Sequence, residues 1–282
     1  MRLYLLPIST RRTLIYCQKL NVVTSDKQSW LDKGTTKAAN LWAGWEKKES
    51  GWQKKVVDYG NQALKRIPYE EWGLKSIPPL TKRKEEDELP GKGKIELSFP
   101  STLIPEEKVA ELLKTLGTER QSLHKSRMIY SFIGMPISAP FALVPIVPNL
   151  PFFYLVFRAW SHWRALSGAK HIGFLLDNKL IKATPSKILD DIYSNGERPF
   201  DPALGKGGEK TSTVIDGIDL EERMVLHKSN GKRIAEAFDI PELDVELDRA
   251  VWQVEKALRE TYELKEEQKS LKAVNSQQEE KL

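Results

Sequence analysis

The longest apolar stretch of the chain covers residues 128–157, MIYSFIGMPISAPFALVPIVPNLPFFYLVF, and contains no Asp, Glu, Lys, Arg or His. It exceeds the ~20 residues that a bilayer-spanning helix needs. A helix of this length in a water-soluble core would carry a polar face, and the first charged side chain appears only at Arg158. The pattern predicts a membrane-associated region. A Pro-rich hairpin buried in a water-soluble core is the alternative.

Prolines divide this stretch, because each removes a backbone hydrogen-bond donor. They stand at Pro136, Pro140, Pro145, Pro148 and Pro151. The tetrapeptide PNLP is a natural turn. Pro148, Asn149 and Pro151 are therefore predicted to form the turn of a helical hairpin. Its arms are expected at about 128–147 and 151–167.

Basic residues flank the stretch on both sides. Arg120, Lys125 and Arg127 precede it, and Arg158, Arg164 and Lys170 follow it. A hairpin places all of them on one side of a membrane, as the positive-inside rule prefers, whereas a single kinked span divides them evenly. The flanks therefore favour the hairpin over the single span.

The second arm has a polar side with candidate ion-path or interface residues, namely Tyr154, Arg158, Ser161 and His162. An ionisable residue inside a membrane can mark an ion path. The alternative is that Trp160 and Trp163 are interfacial anchors and that Arg158 extends its guanidinium to the headgroups.

Helical periodicity predicts one long Trp/Lys-rich amphipathic helix over residues 26–67. Its Trp-rich face suits either a membrane surface or packing on protein. Residues 68–104 are predicted to be a Pro-rich charged linker with a short strand at KIELSF. Residues 105–170 are expected to form the membrane region with its hairpin, and residues 171–264 a C-terminal helical region.

Residues 265–282 are expected to be a flexible tail. The basic, acid-free segment 1–25 is typical of mitochondrial targeting sequences. Pro7 and the β-branched and aromatic residues on either side of STRR make two short strands a rival interpretation. The predicted fold class is mainly α, with long amphipathic helices around a Pro-rich membrane hairpin and, at the N-terminus, a small β-hairpin as one option.

The composition of the chain limits the classes of function that are expected. The 44 Lys and Arg nearly balance the 39 Asp and Glu, giving a net charge of +5. Nucleic-acid binding is therefore not expected, and an anionic membrane surface suits the basic excess at least as well. The single cysteine, Cys17, excludes an intramolecular disulfide and is expected to be a buried thiol.

Motifs of catalysis and cofactor binding are not found. GKGGEKTS at 205–212 has Glu209 where a phosphate-binding loop needs glycine. The four histidines, His124, His162, His171 and His227, show no metal-ligand spacing. We expect no enzyme activity and no catalytic, cofactor-binding or metal-binding residue.

Three segments carry a family resemblance: MRLYLLPISTRRTLIYC, the Trp/Lys-rich segment after it, and MPISAPFALVPIVPNLPFFYLVFRAWSHWRALSGAKH. From Met1 to about residue 195 the chain resembles the fungal mitochondrial K+/H+ exchange-related proteins. The membrane block is also loosely similar to the Pro-rich span of the leucine-zipper, EF-hand-containing transmembrane proteins, although no EF-hand pattern is present.

The resemblance implies an inner mitochondrial membrane protein that takes part in electroneutral potassium–proton exchange, directly or as a subunit of a larger assembly. It also implies that residues 1–17 belong to the fold. The expected partners are membrane lipids and either further copies of the chain or a larger membrane complex. A membrane-anchored assembly or scaffold factor without transport activity is the alternative function, and a peripheral lipid-binding protein is a third.

Overall fold

The structure is a computed structural model that describes residues 1–18, 50–80, 94–140, 149–195 and 222–279, together with a few single positions between 37 and 48 and at 82 and 85. Between residues 80 and 94, positions 82 and 85 are the ones that the structure describes. The chain divides into two compact units. One comprises Met1–Gln18 and Tyr69–Leu282, and the other comprises Lys19–Pro68.

A four-stranded mixed sheet forms the centre of the larger unit. Strands β1 (Arg2–Pro7) and β2 (Thr13–Gln18) make an antiparallel hairpin, with Leu3 opposite Cys17. Strands β3 (Ile95–Phe99) and β4 (Ile181–Pro185) add in parallel, giving the order β2-β1-β3-β4. The hydroxyl of Ser9 accepts hydrogen bonds from the backbone N–H groups of Arg11 and Arg12, which stabilises the turn of the hairpin.

Helices cover both faces of this sheet. In chain order the larger unit contains α2 (Tyr69–Ser76), α3 (Glu106–Thr118), α4 (Gln121–Ser138), α5 (Leu150–Asp177), α6 (Lys187–Asn195), α7 (Lys228–Ala237) and α8 (Pro241–Glu279); helix α1 (Trp52–Lys65) belongs to the smaller unit. Successive strand residues point to opposite faces. Leu3 and Leu5 pack with α2, α3 and α5, whereas Tyr4 and Leu6 pack with α6, α7 and α8.

The N-terminal strand pair is confirmed, and Cys17 is a buried thiol outside any disulfide. The strand predicted at KIELSF is also confirmed, as β3. The mainly helical class holds in coarse form, but the central sheet was not predicted. Strands β3 and β4 are short, and their parallel partners lie far away in sequence. A parallel pair leaves no local turn signal of the kind that marks a hairpin.

The helical hairpin is present in the described residues. Helices α3 and α4 form one arm and α5 the other, and they run antiparallel. Gly117 lies beside Ala169, and His124 lies beside His162. The described residues include Asn149 of the predicted turn, which lies at the start of α5; Pro148 lies outside them.

Among the described residues, no helix is long and apolar enough to cross a bilayer, so the predicted spanning arms are not borne out there. The reason is that the apolar stretch is shared between two helices. Helix α4 begins with polar and basic residues, and α5 carries Arg158 and His162 in its first half. Each arm therefore has only a short apolar part.

Two further segments differ from the sequence prediction. The helix expected over 26–67 is interrupted in its described part, because Gly51 adopts a φ of +106° just before α1 begins. Glycine tolerates this left-handed conformation, and a helix cannot continue through it. The tail expected from residue 265 is helical as far as Glu279, since α8 continues through residues that are mostly good helix formers.

Candidate functional site

Helix α2 brings a carboxylate into the core of the hairpin. Its backbone lies directly against α5, because a Cβ atom at Gly168 would stand 2.1 Å from the carbonyl oxygen of Leu74. Only glycine permits this approach. Glu71, one turn earlier on α2, is consequently fully buried against α5. The linker predicted over 68–104 therefore contains the helix that completes the site.

Glu71 is held by two residues of α5. Arg158 donates from Nη1 to Oε1 at 2.9 Å and from Nη2 to Oε2 at 3.1 Å, and the Ser161 hydroxyl donates to Oε1 at 2.5 Å. Burial alone raises the pKa of Glu71. The hydrogen bond from Ser161 and the charge of Arg158 outweigh burial, so the pKa of this carboxyl lies below its usual range. Glu71 is therefore an ionised carboxylate at neutral pH.

The same guanidinium fixes the tautomers of two histidines. Nη2 of Arg158 lies 2.9 Å from Nε2 of His162. A guanidinium can only donate, so Nε2 of His162 accepts and its ring proton sits on Nδ1. That Nδ1 lies 3.1 Å from Nδ1 of His124, which must then accept. The proton of His124 is therefore on Nε2, a buried atom without a hydrogen-bond partner among the described residues.

Both histidines are neutral in this arrangement. Burial lowers the pKa of His162 to about 4; Glu71 opposes the shift and Arg158 adds to it. Burial also lowers the pKa of His124. Protonation of His162 would place a hydrogen on Nε2, the atom that now accepts from Arg158. A proton can therefore enter this site only if the Arg158 contact is broken.

The cluster also has the outline of a metal site. One ligand atom from each of Glu71, His124 and His162 lies within 4.8 Å of the others. Nδ1 of His162 is 3.6 Å from Oε2 of Glu71, close to the ~3.3 Å that separates two ligands of tetrahedral zinc. However, Arg158 requires the proton on Nδ1 of His162 and adds a positive charge. As it stands, the arrangement does not suit a metal ion.

A buried lysine lies one turn further along α2. Nζ of Lys75 stands 3.3 Å from the centroid of the Trp72 ring, and Phe157 and Trp160 of α5 lie just over 5 Å away. It has no hydrogen-bond partner among the described residues. Burial lowers the pKa of Lys75 to about 7, although Glu71 and Glu246 oppose the shift. Contact with aromatic faces partly replaces its lost hydration.

The residues singled out from sequence separate into three groups. Arg158, Ser161 and His162 come together on Glu71, whereas Tyr154 is 49% exposed and lies outside the cluster. Trp160 is half-buried near Lys75, and Trp163 is 41% exposed.

Two of the predicted turn residues and two of the histidines also have definite positions. Asn149 caps α5 by accepting from the Phe152 N–H, and Pro151 lies in the first turn. Of the four histidines, His124 and His162 are brought together, although their spacing in sequence gave no sign of it.

Sequence reasoning missed Glu71, Lys75 and His124. Glu71 and Lys75 are four residues apart in YEEWGLKS, a spacing that places them on one helical face. That spacing is a signal for a helix, but the prolines around it predict a linker. His124 carries no local signal, because its partner lies 38 positions away.

Comparison with known proteins shows that the chain is similar to two fungal proteins. An uncharacterized protein of Schizosaccharomyces pombe is 30% identical over 209 residues, covering 73% of this chain and 90% of that protein. An uncharacterized protein of Saccharomyces cerevisiae is 24% identical over 285 residues, covering 89% of this chain and 84% of that protein. No solved structure is significantly similar to the chain.

The family described as mitochondrial K+-H+ exchange-related matches residues 2–176. This span includes both strands of the N-terminal hairpin, α2, and nearly all of α5, and with them every residue of the Glu71 cluster. The resemblance seen in the sequence is therefore confirmed, and this chain belongs to the mitochondrial K+-H+ exchange-related family.

Proposed function

We propose that this chain takes part in electroneutral potassium–proton exchange at the mitochondrial inner membrane, as a subunit of an exchanger assembly and without an enzymatic step of its own. Family membership supports a role related to this exchange. The observation that carries the finer proposal is the buried hydrogen-bonded chain from Glu71 through Arg158 and His162 to His124. In the proposal this row of hydrogen-bonded side chains is the proton-responsive element.

The chemistry of the cluster supports this role. A proton on His162 competes with Arg158 for the same nitrogen, and Arg158 in turn holds Glu71 of α2. Protonation therefore favours an arrangement in which Arg158 has left His162. A ligand shifts an equilibrium between two arrangements only to the extent that it binds one of them more tightly than the other. A proton that binds here would bias the contact between α2 and α5, and thereby the conformation that the assembly recognises.

Potassium-acetate swelling of isolated mitochondria tests the role. We expect swelling to fall when the chain is removed and to return with the wild-type chain. The Arg158→Ala chain, expressed to the same level, should not restore it. Arg259→Ala is the control, because Arg259 is 57% exposed in an ion pair on the surface of α8. Swelling that is unchanged by removal of the chain would reject the proposal.

Reconstitution separates a subunit from a complete exchanger. The purified full chain is placed in potassium-loaded liposomes that contain a pH-sensitive dye. Proton uptake that follows the potassium gradient and is lost in Arg158→Ala would indicate direct exchange. We expect no exchange by the chain alone and recovery of exchange only with co-purified partners.

The scaffold function is a second candidate, and α8 is the observation that favours it. This helix continues beyond the core residue Leu258 to Glu279. Leu264 and Leu271 are each 58% exposed and are seven residues apart, the spacing of one apolar stripe. A partner helix could pack there. If Leu264→Lys and Leu271→Lys abolish co-purification of partners while the exchange activity of the assembly survives, the scaffold role would be favoured.

A further inference from the structure

The end of the helical hairpin has an apolar surface that the larger unit leaves exposed. We define the hairpin end as residues 128–140 and 149–157, which contain no Asp, Glu, Lys, Arg or His. Eight of its large apolar side chains are between 40% and 70% exposed: Ile129, Tyr130, Phe132, Ile133, Ile137, Phe153, Tyr154 and Val156. So many large exposed apolar side chains on one element mark an interaction site rather than an ordinary surface.

Three polar side chains within the hairpin end are paired internally. Asn149 donates from Nδ2 to the carbonyl oxygen of Ser138 at 2.8 Å and accepts from the Phe152 N–H at 3.1 Å. The hydroxyls of Ser131 and Ser138 donate to carbonyl oxygens of their own helix, those of Arg127 and Met135. All three side chains are buried, so none of them adds an unpaired polar group to the exposed apolar surface.

Length sets how deep such an end could reach. From Met128 to Ser138, α4 rises by about 16 Å at 1.5 Å per residue. The hydrocarbon core of a bilayer is about 30 Å thick, so this apolar part matches one leaflet. Directly behind it on α4 lie Lys125 and Arg127, both exposed, and Trp163 of α5 is also exposed. Basic and Trp residues at this level are typical of the headgroup region.

From these observations we infer that the hairpin end inserts into one leaflet of a lipid bilayer, with Lys125 and Arg127 at the anionic headgroups. The charge pattern favours lipid over a protein partner. The hairpin end lacks acidic residues, and cations stand at its base, whereas a protein interface usually has a polar rim of both signs. The inference is independent of the proposed function, since it concerns only how the hairpin meets lipid.

Flotation with liposomes of phosphatidylcholine and phosphatidylglycerol tests the insertion on the purified full chain. We expect the wild-type chain to float with the liposomes. Ile133→Asp and Ile137→Asp should each lower the partition coefficient about tenfold or more, because each buries a charge in hydrocarbon. Ile188→Asp is the matched control: Ile188 is 47% exposed on α6, away from the hairpin, and its substitution should leave flotation unchanged.

Depth is measured by spin labels on single cysteines in a Cys17→Ala background. A label at Ile137→Cys should be reached by oxygen dissolved in the acyl chains, and a label at Lys125→Cys by a water-soluble nickel chelate. Equal flotation of all three Asp variants would overturn the inference. The inference would also be overturned if the nickel chelate reached the label at position 137 from the far side of the bilayer, because the hairpin end would then cross both leaflets. Dimers that form in lipid-free buffer and are abolished by Ile137→Asp would overturn it as well.

Discussion

Arg158 and Glu71 are 87 positions apart in sequence and form two parallel hydrogen bonds, with 10% and 0% of their side chains exposed. The pair joins α2 to α5, whose backbones are also in contact further along, at Leu74 and Gly168. Its geometry is the fork of a guanidinium around a carboxylate, which Lys cannot reproduce. The Ser161 hydroxyl and His162 ring then occupy remaining positions around the two charges.

Removal of Arg158 should destabilise the larger unit strongly. Arg158→Met leaves Glu71 ionised and buried, and breaking a buried pair in this way costs about 3–5 kcal/mol. Urea unfolding at pH 7 measures the loss. Arg259→Met, which removes an exposed pair with Glu255, should cost less than ~1 kcal/mol. Equal losses in the two variants would contradict the importance that we assign to the buried pair.

The double variant Glu71→Leu with Arg158→Met refines this test. It removes both charges and replaces them by apolar groups, so neither charge of the pair is left without its partner. We expect it to be more stable than Arg158→Met alone, with a coupling energy above ~1 kcal/mol in the double-mutant cycle. Additive losses would mean that the two side chains act independently.

The contact between α2 and α5 has its own test in two glycines of α5. At Gly168 an added Cβ would stand 2.1 Å from the Leu74 carbonyl oxygen, whereas at Gly173 it would meet nothing within 4 Å. Gly168→Ala should therefore cost more than ~2 kcal/mol through overpacking. Gly173→Ala should raise the unfolding free energy by about 0.5–1 kcal/mol, because alanine is the better helix former. Thermal and urea unfolding of both variants would show opposite signs, and a like sign would contradict the packing described here.

Local patterns in the sequence were enough to predict several elements. The β-branched and aromatic residues in LYLLPIS and TLIYCQ indicated two strands, the Pro and Asn of PNLP indicated a break before the second arm, and periodicity indicated helices within residues 171–264. Each of these rests on residues that are neighbours in the chain. Local pattern is therefore a sufficient guide where the decisive contacts are short-range.

The site and the sheet depend on contacts between distant residues. Arg158 was identified as unusual because it ends a long uncharged stretch, but its partner Glu71 lies in a Pro-rich segment that was interpreted as a linker. With its partner unknown, the guanidinium was assigned to headgroups or an ion path. The same limitation applies to His124, and to β3 and β4, whose pairing in the sheet leaves no trace in their own sequences.

The tautomers of His124 and His162 can be tested by NMR. Long-range 1H–15N correlation spectra of the histidine-labelled full chain should show His162 with its proton on Nδ1 and His124 with its proton on Nε2. Arg158→Ala removes the donor that fixes this choice, and a change in the His162 pattern is then expected. His227, which lies on the exposed N-cap of α7, is the internal reference. A wild-type His162 with its proton on Nε2 would contradict the hydrogen-bond chain.

The lowered pKa of His162 predicts how stability depends on pH. In the unfolded chain this histidine titrates near pH 6.5, and in the folded chain its pKa is about 4. Between these values the unfolded state binds more protons, so the contribution of His162 to the unfolding free energy rises as pH rises from 4 to 6.5. The slope over this window should be smaller in His162→Gln than in the wild-type chain, and an unchanged slope would count against the assignment.

Lys75 should control stability in a different pH window. Its pKa is about 7 in the folded chain, against 10.5 in the unfolded chain. Between pH 7 and 10.5 the unfolded state binds more protons, so the contribution of Lys75 to the unfolding free energy rises with pH and its full cost is present below pH 7. Lys75→Met removes that cost, and its stability relative to the wild-type chain should therefore be greatest below pH 7 and decline towards pH 10.5.

Lys256→Met is the matched control, because Lys256 also lies over an indole ring, that of Trp252, but is 57% exposed. Urea unfolding at pH 6 and pH 9 measures the difference in unfolding free energy between each variant and the wild-type chain. This difference should change with pH for Lys75→Met and stay constant for Lys256→Met. A constant difference for both would mean that the Lys75 ammonium remains charged within its aromatic surroundings.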